Sequence, residues 1–130
     1  MSTLGPYSGF SSVMHIVADT AKPADQPGQV EFTFQFFESK ASDGVEVFEC
    51  ADNPKAHEKR TTDALNPSYW GTVDVELFGK KCQYKNRGGT TGKLFCGSQA
   101  LDCIPTMAAS TRWNCGKFQR RPMWTCVGPK

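Results

Sequence analysis

No two of the six cysteines in this 130-residue chain stand closer than seven residues apart. That absence argues against a zinc site, which announces itself by close C-x2-C pairs or by histidines at matching spacing. Histidine is scarce as well: His15 and His57 are the only two, and both lie upstream of most of the cysteines. No apolar run approaches the ~18 residues of a membrane-spanning helix, and no basic amphipathic stretch suits a membrane surface. The chain holds no Gly-x-Ser-x-Gly, no His-Glu-x-x-His and no phosphate-binding loop, so the common hydrolase and nucleotide-dependent sites are excluded. Arg87-Gly-Gly-Thr-Thr-Gly92 is rich in glycine but lacks the Lys-Ser/Thr pair of a P-loop. Acidic residues are nearly missing from the second part of the chain, where residues 79–130 carry 10 basic side chains and the single carboxylate Asp102.

What is present points outward. Six cysteines, five of them within the last 49 residues, form an even set in a short chain. That is the mark of a disulfide framework made in an oxidising compartment. The expectation is a secreted, extracellular protein, with Met1-Ser-Thr-Leu-Gly5 read as the start of a mature chain carrying an initiator methionine. One domain over residues 1–130 is expected from the length, with no cofactor. Residues 1–78 carry 5 basic and 12 acidic side chains, the opposite of the remainder. The simplest reading is that acidic and basic strands pair within the fold or across a homodimer, because the basic residues are scattered rather than clustered.

Hydrophobic periodicity is that of strands. Val30, Phe32, Phe34 and Phe36 alternate with Glu31, Thr33, Gln35 and Phe37, a period of two with one apolar face. Further strands are expected at Tyr7–Val17, Val45–Cys50, Trp70–Phe78, Lys80–Lys85, Lys93–Gly97, Thr111–Phe118 and Pro122–Val127. Ser42-Asp43-Gly44 and Asn86–Gly92 supply hairpin turns, and Gln119-Arg-Arg-Pro122 is taken as the last turn. Ala51–Ser68 reads as a long polar stretch with at most a short helix over Lys55–Arg60, and Leu101–Thr111 as a looser segment. The fold class that follows is all-β, a compact antiparallel barrel or sandwich stapled by three disulfides. Six cysteines allow 15 connectivities. Cys82 and Cys96 lie symmetrically about Gly89, and Cys115 and Cys126 almost symmetrically about Gln119–Arg121, which favours those two pairs and leaves Cys50 to Cys103.

Two constellations bear on chemistry. His57-Glu58-Lys59-Arg60 holds the residue types of a small secreted ribonuclease, but four adjacent residues cannot all aim at one atom, so a solvated loop is the expectation there. Trp70, Trp113 and Trp124 are interspersed with Arg120 and Arg121. Aromatics beside arginines stack on sugars or bind anionic groups, and the competing reading is plain aromatic core. These five residues are the candidate binding set. No catalytic and no metal-binding residue is assigned.

Strand-ending cysteines such as Val47-Phe-Glu-Cys50 and Trp113-Asn-Cys115, set in a small β-rich chain, resemble the secreted cysteine-rich proteins of filamentous fungi. Over roughly Phe32 to Val127 the strand order and cysteine placement are similar to the Alternaria major-allergen and elicitor family and to small effectors secreted by root-colonising Trichoderma. The resemblance implies a compact β-barrel, often dimeric, that modulates plant defence without catalytic residues. Six cysteines exceed the usual number in that allergen family, and no site residue transfers position by position. The expected function is therefore non-enzymatic: an effector or elicitor that binds a host protein or a cell-wall component, with no membrane role and nucleic acid disfavoured. A carbohydrate- or wall-binding module is the alternative, and a ribonuclease-like toxin the third reading.

Overall fold

The computed structural model describes residues 10–22, 25, 27–39, 50, 53–62, 69–106 and 112–129. Within them the chain is strand and turn, without helix. Nine strands are laid down in order: β1 Phe10–Ala21, β2 Val30–Glu38, β3 Ala56–Thr62, β4 Trp70–Leu77, β5 Lys80–Arg87, β6 Lys93–Cys96, β7 Gln99–Pro105, β8 Trp113–Asn114 and β9 Gln119–Pro129. All described pairings are antiparallel, in the spatial order β3-β2-β1-β9-β7-β6-β5-β4, with β8 added to β9. This sheet curls into a nearly closed barrel whose two end strands, β3 and β4, face each other across a seam. The seam is clamped at both ends. Arg60 on β3 donates from Nη2 to the Trp70 carbonyl at 2.6 Å, and the Phe78 amide after β4 donates to the Glu38 carboxylate of β2 at 2.7 Å.

The alternation in the sequence fills the barrel. Phe32, Phe34 and Phe36 of β2 point inward with Met14, Ile16 and Ala18 of β1, Val73, Val75 and Leu77 of β4, and Tyr84 and Leu94 of β5 and β6. Aromatic rings form its centre: Phe34 stacks on Trp124 at 6.3 Å, Trp124 on Tyr84 at 6.4 Å, and Tyr69 meets Phe34 edge-on at 5.2 Å. Rings at such separations add to area burial through their quadrupoles.

A β-bulge decides what lies outside this core. In the β1–β9 ladder Ile16 pairs with Trp124 and Val17 with Pro122, so Met123 is an extra residue on β9. An inserted residue reverses the inward-outward phase beyond it. Trp124 and Cys126 therefore enter the barrel, whereas Pro122 and Arg120 turn to the outer face of β1, β2 and β9. There Arg120 meets its register partner Asp19, donating from Nε at 2.7 Å and Nη2 at 3.0 Å. Gln35 also donates to Asp19. The guanidinium lies 5.3 Å from the Phe37 ring and 5.7 Å from Phe118, and β8 covers it, with Trp113 packed on Val17 and Phe37. This is a second small core, closed by the hairpin from β8 to β9.

The structure corrects several expectations. The helix considered over Lys55–Arg60 is strand β3, paired with β2 from Val30↔Thr62 to Phe36↔Ala56; its inward positions are Ala56, Glu58 and Arg60, whose stems rather than apolar identity carry the period. The looser segment begins with strand β7, where Leu101 and Cys103 face in. The last turn falls at Cys115–Phe118, closed by the Cys115 amide on the Phe118 carbonyl at 2.9 Å, and not at Gln119–Pro122, which belongs to β9. Cys115 accordingly sits at a hairpin tip, far along β9 from Cys126, and the two do not pair. The disulfides are Cys82–Cys96, as the glycine-centred hairpin implies, with Cys103–Cys126 and Cys50–Cys115 in place of the expected Cys115–Cys126 and Cys50–Cys103. The expected strand Val45–Cys50 and its turn at Ser42–Gly44 lie outside the described residues, apart from Cys50 itself.

Exposure orders these bonds kinetically. Cys50 is exposed and Cys115 half-buried, while Cys103 and Cys126 lie in the core. A thiolate must reach a sulfur to exchange with it. Limited reduction of the folded protein, followed by alkylation and peptide mapping, should open Cys50–Cys115 first and Cys103–Cys126 last. Early labelling of Cys126 would contradict this burial.

Candidate functional site

The barrel has two broad outer faces, and they differ. That of β1, β2 and β9 is covered by the β8–β9 hairpin, whereas among the described residues nothing covers the outer face of β4 to β7. Register places its side chains in rows. Trp70 lies opposite Arg87; Thr72, Lys85, Lys93 and Asp102 form the next row; Asp74, Gln83, Phe95 and Ala100 the one after. Trp70 is 47% exposed and Phe95 36%, and Phe78, just after β4, is exposed as well. Lys85, Arg87 and Lys93 gather with Phe95 and Asp102 in a shallow groove of about 910 Å³ that has Thr72, Thr90 and Thr91 on its walls.

Electrostatics here is unbalanced. Lys85 and Lys93 are direct cross-strand partners, an arrangement in which like charges repel and cost stability. Lys93 is 3.6 Å from Asp102, both well exposed, so screening leaves that pair weak. Lys85 Nζ stands 5.4 Å from the Phe95 ring centroid. No carboxylate among the described residues forms an ion pair with Lys85 or Arg87. The other half of the same face is different: Asp74 and Glu76 lie there with Lys81 and Gln83, and Gln83 donates to Asp74 at 2.8 Å. Of the ion pairs described, one joins the acidic and basic parts of the chain, Asp19–Arg120. The others, Lys59–Glu31, Arg60–Glu58 and Lys93–Asp102, stay within one part.

The groove is held rigidly from beneath. Buried Asn86 donates from Nδ2 to Tyr84 Oη at 2.8 Å and to the Thr90 carbonyl at 2.9 Å, and its Oδ1 accepts from the Gly88 amide and the Thr90 hydroxyl, each at 2.8 Å. Tyr84 Oη donates to the Thr91 carbonyl at 2.8 Å, and Thr91 Oγ1 to the Cys103 carbonyl at 2.6 Å. Gly92 lies directly over Tyr84: a Cβ there would stand 2.4 Å from the phenol oxygen, at a φ of +78°. The loop's glycines thus serve a polar network under a fixed turn, not a phosphate cradle. At the seam with β3, Arg60 lies 4.6 Å from the Tyr69 ring and 5.2 Å from Trp70, holding the indole there.

Burial pushes both phenols up. For Tyr84 desolvation dominates, offset in part by the Asn86 hydrogen bond. For Tyr69 desolvation again leads, opposed by the Arg60 charge and reinforced by Glu58. Both folded values lie above the unfolded value of about 10. The stability linked to these protons is therefore whole below about pH 10 and is lost as pH rises, because the unfolded chain releases them first. Spectrophotometric titration should show neither phenol ionising reversibly near pH 10, with their phenolate absorbance appearing together with alkaline unfolding.

The five candidate residues separate. Trp70 stands on the bare face. Trp124 is 8% exposed inside the barrel, Arg120 is 1% exposed in its ion pair, and Trp113 is half-buried over Val17 and Phe37. Arg121 is half-buried, its pKa lowered by desolvation and then by Arg112. Sequence reasoning missed Lys85, Arg87, Lys93 and Phe95, whose signal was alternation on the outward phase of the two strands around Gly89. His57 and Lys59 point outward from β3 while Glu58 and Arg60 are half-buried, so the four adjacent residues do not converge. No group of three or more His, Cys, Asp or Glu among the described residues is placed to hold a metal ion. No protein-family model, no curated protein and no solved structure matches this chain.

Proposed function

We propose that the chain is a secreted, non-catalytic binding protein, an effector or elicitor acting on a plant host, and that it meets its partner with the outer face of β4 to β7. The observation that carries the contact surface is the uncovered cluster of Lys85, Arg87 and Lys93, with exposed Trp70 and Phe95 on the same face. Three disulfides in a small barrel suit an extracellular setting. The host setting rests on the resemblance in cysteine placement and strand order. A wall component as partner is favoured specifically by Trp70, the one tryptophan of the candidate set that is exposed.

Infiltration of purified protein into leaf tissue tests this reading, with the oxidative burst as readout. Wild type should alter the response, Lys85→Glu with Lys93→Glu should abolish most of that effect, and the remote Lys117→Glu should retain it. No response from wild type, or turnover of RNA, peptide or glycan that is lost on replacing His57 or Glu58, would overturn it. Homodimerisation belongs to the same proposal and rests on the charge polarity of the chain. It predicts a dimeric elution at low and moderate salt that dissociates at high salt, since exposed ion pairs are screened; a monomer at low salt would refute it.

A further inference from the structure

We infer that the groove over β5 and β6 binds an extended anionic polysaccharide carrying a carboxylate or sulfate on successive rings, an inference that rests on the proposed binding face and names its ligand class. Three features lead to it. First, Lys85 and Lys93 sit directly opposite each other, with only the exposed Asp102, among the described residues, beside Lys93 as counter-charge, and a bound anion converts the remaining repulsion into attraction. Second, Trp70 and Phe95 stand two strands and four residues apart by register. At ~4.8 Å per strand and ~3.4 Å per residue this is about 17 Å, the span of about three linked sugar rings, with Lys85 midway and Arg87 and Lys93 flanking it. Third, the floor is fixed by Asn86 and walled by the hydroxyls of Thr72, Thr90 and Thr91, so a ligand meets a preformed surface and little ordering opposes binding.

A nucleic-acid strand suits the face less well. Successive bases need an aromatic platform at each step and a denser track of cations, whereas here two rings are widely separated, Asp74 shares the row of Phe95 and Glu76 lies beyond it. A sugar chain needs only one ring face at each end and charge in the middle.

Calorimetric titration of the oxidised, full chain tests the inference with four probes: oligogalacturonate, heparin oligosaccharide, a neutral glucan of equal length, and oligo-deoxythymidine. The expected result is binding to one or both anionic sugars, weakened by salt and reduced about tenfold by Lys85→Gln with Lys93→Gln and by Trp70→Ala. Which of the two binds tells carboxylate from sulfate. The lysine variants should melt no lower than wild type, because they remove a repulsion, so lost binding is not lost folding. Binding to neither anionic sugar, equal binding to the neutral glucan, preference for the oligonucleotide, or affinity untouched by these substitutions would overturn the inference. If the leaf response depends on Lys85 and Lys93 while neither sugar binds, the ligand class is wrong and the binding face stands; if sugar binding survives without any leaf response, the host function is wrong and the groove stands.

Discussion

Arg120→Met is expected to lower unfolding stability by about 3–5 kcal/mol, and Asp19→Asn by a similar amount. The pair is buried on all sides, with Arg120 1% and Asp19 4% exposed. Removing one partner leaves the other charge away from water and short of its closest counter-charge, with Gln35 still donating on the carboxylate side and the Phe37 and Phe118 rings still facing the cation. Since small domains are held by about 5–15 kcal/mol in all, either single variant should shift the denaturant midpoint strongly. The double change Asp19→Leu with Arg120→Met should recover most of the loss, because no charge is then stranded. A fall well below 1 kcal/mol for both single variants would show that the outer face of β1, β2 and β9 is open to solvent.

The second large effect belongs to Cys103–Cys126. The four-stranded run β3-β2-β1-β9 joins the run β7-β6-β5-β4 through three register pairs, Cys103↔Cys126, Ile104↔Thr125 and Pro105↔Trp124. The bond lies at the end of this short ladder and closes a sequence separation of 23 residues. Replacing both cysteines by alanine should cost about 3–5 kcal/mol, combining released chain entropy with lost core packing. The same change at Cys82 and Cys96 should cost less, because their strands already share the four-pair ladder of the β5–β6 hairpin. Chemical denaturation of the two variants compares them directly, and equal losses would mean that the junction is held by something other than its disulfide.

Much of this architecture was legible in the sequence, and the illegible parts have identifiable causes. The alternation of Val30 to Phe36 and of Val73 to Leu77 is a direct record of one buried face, and Gly89 marks the centre of the hairpin that Cys82 and Cys96 staple. The remaining disulfides were hidden because the final turn uses Cys115–Phe118 and not the more turn-like Gln119–Pro122. Arg120 and Trp124 have the same parity along β9, so a regular strand would place both on one face; the extra residue at Met123 separates them, and bulges leave little trace in a single sequence. Strand β3 was masked by its polar composition, with Arg60 supplying its aliphatic stem where an apolar residue would have shown the period. On the candidate face, charged residues on outward positions look like ordinary solvation until register brings Lys85 opposite Lys93. That juxtaposition is a property of pairing, not of sequence distance.

Lysine footprinting in the presence of a leaf cell-wall fraction tests the central claim most directly. Acetylation of the oxidised protein, read by peptide mass with and without that fraction, compares Lys85 and Lys93 on the bare face with exposed Lys55 and Lys117 elsewhere. Selective protection of Lys85 and Lys93 is the predicted result. Unchanged labelling at those two positions, with protection at Lys55 or Lys117 instead, would contradict the assignment of the β4 to β7 face as the contact surface.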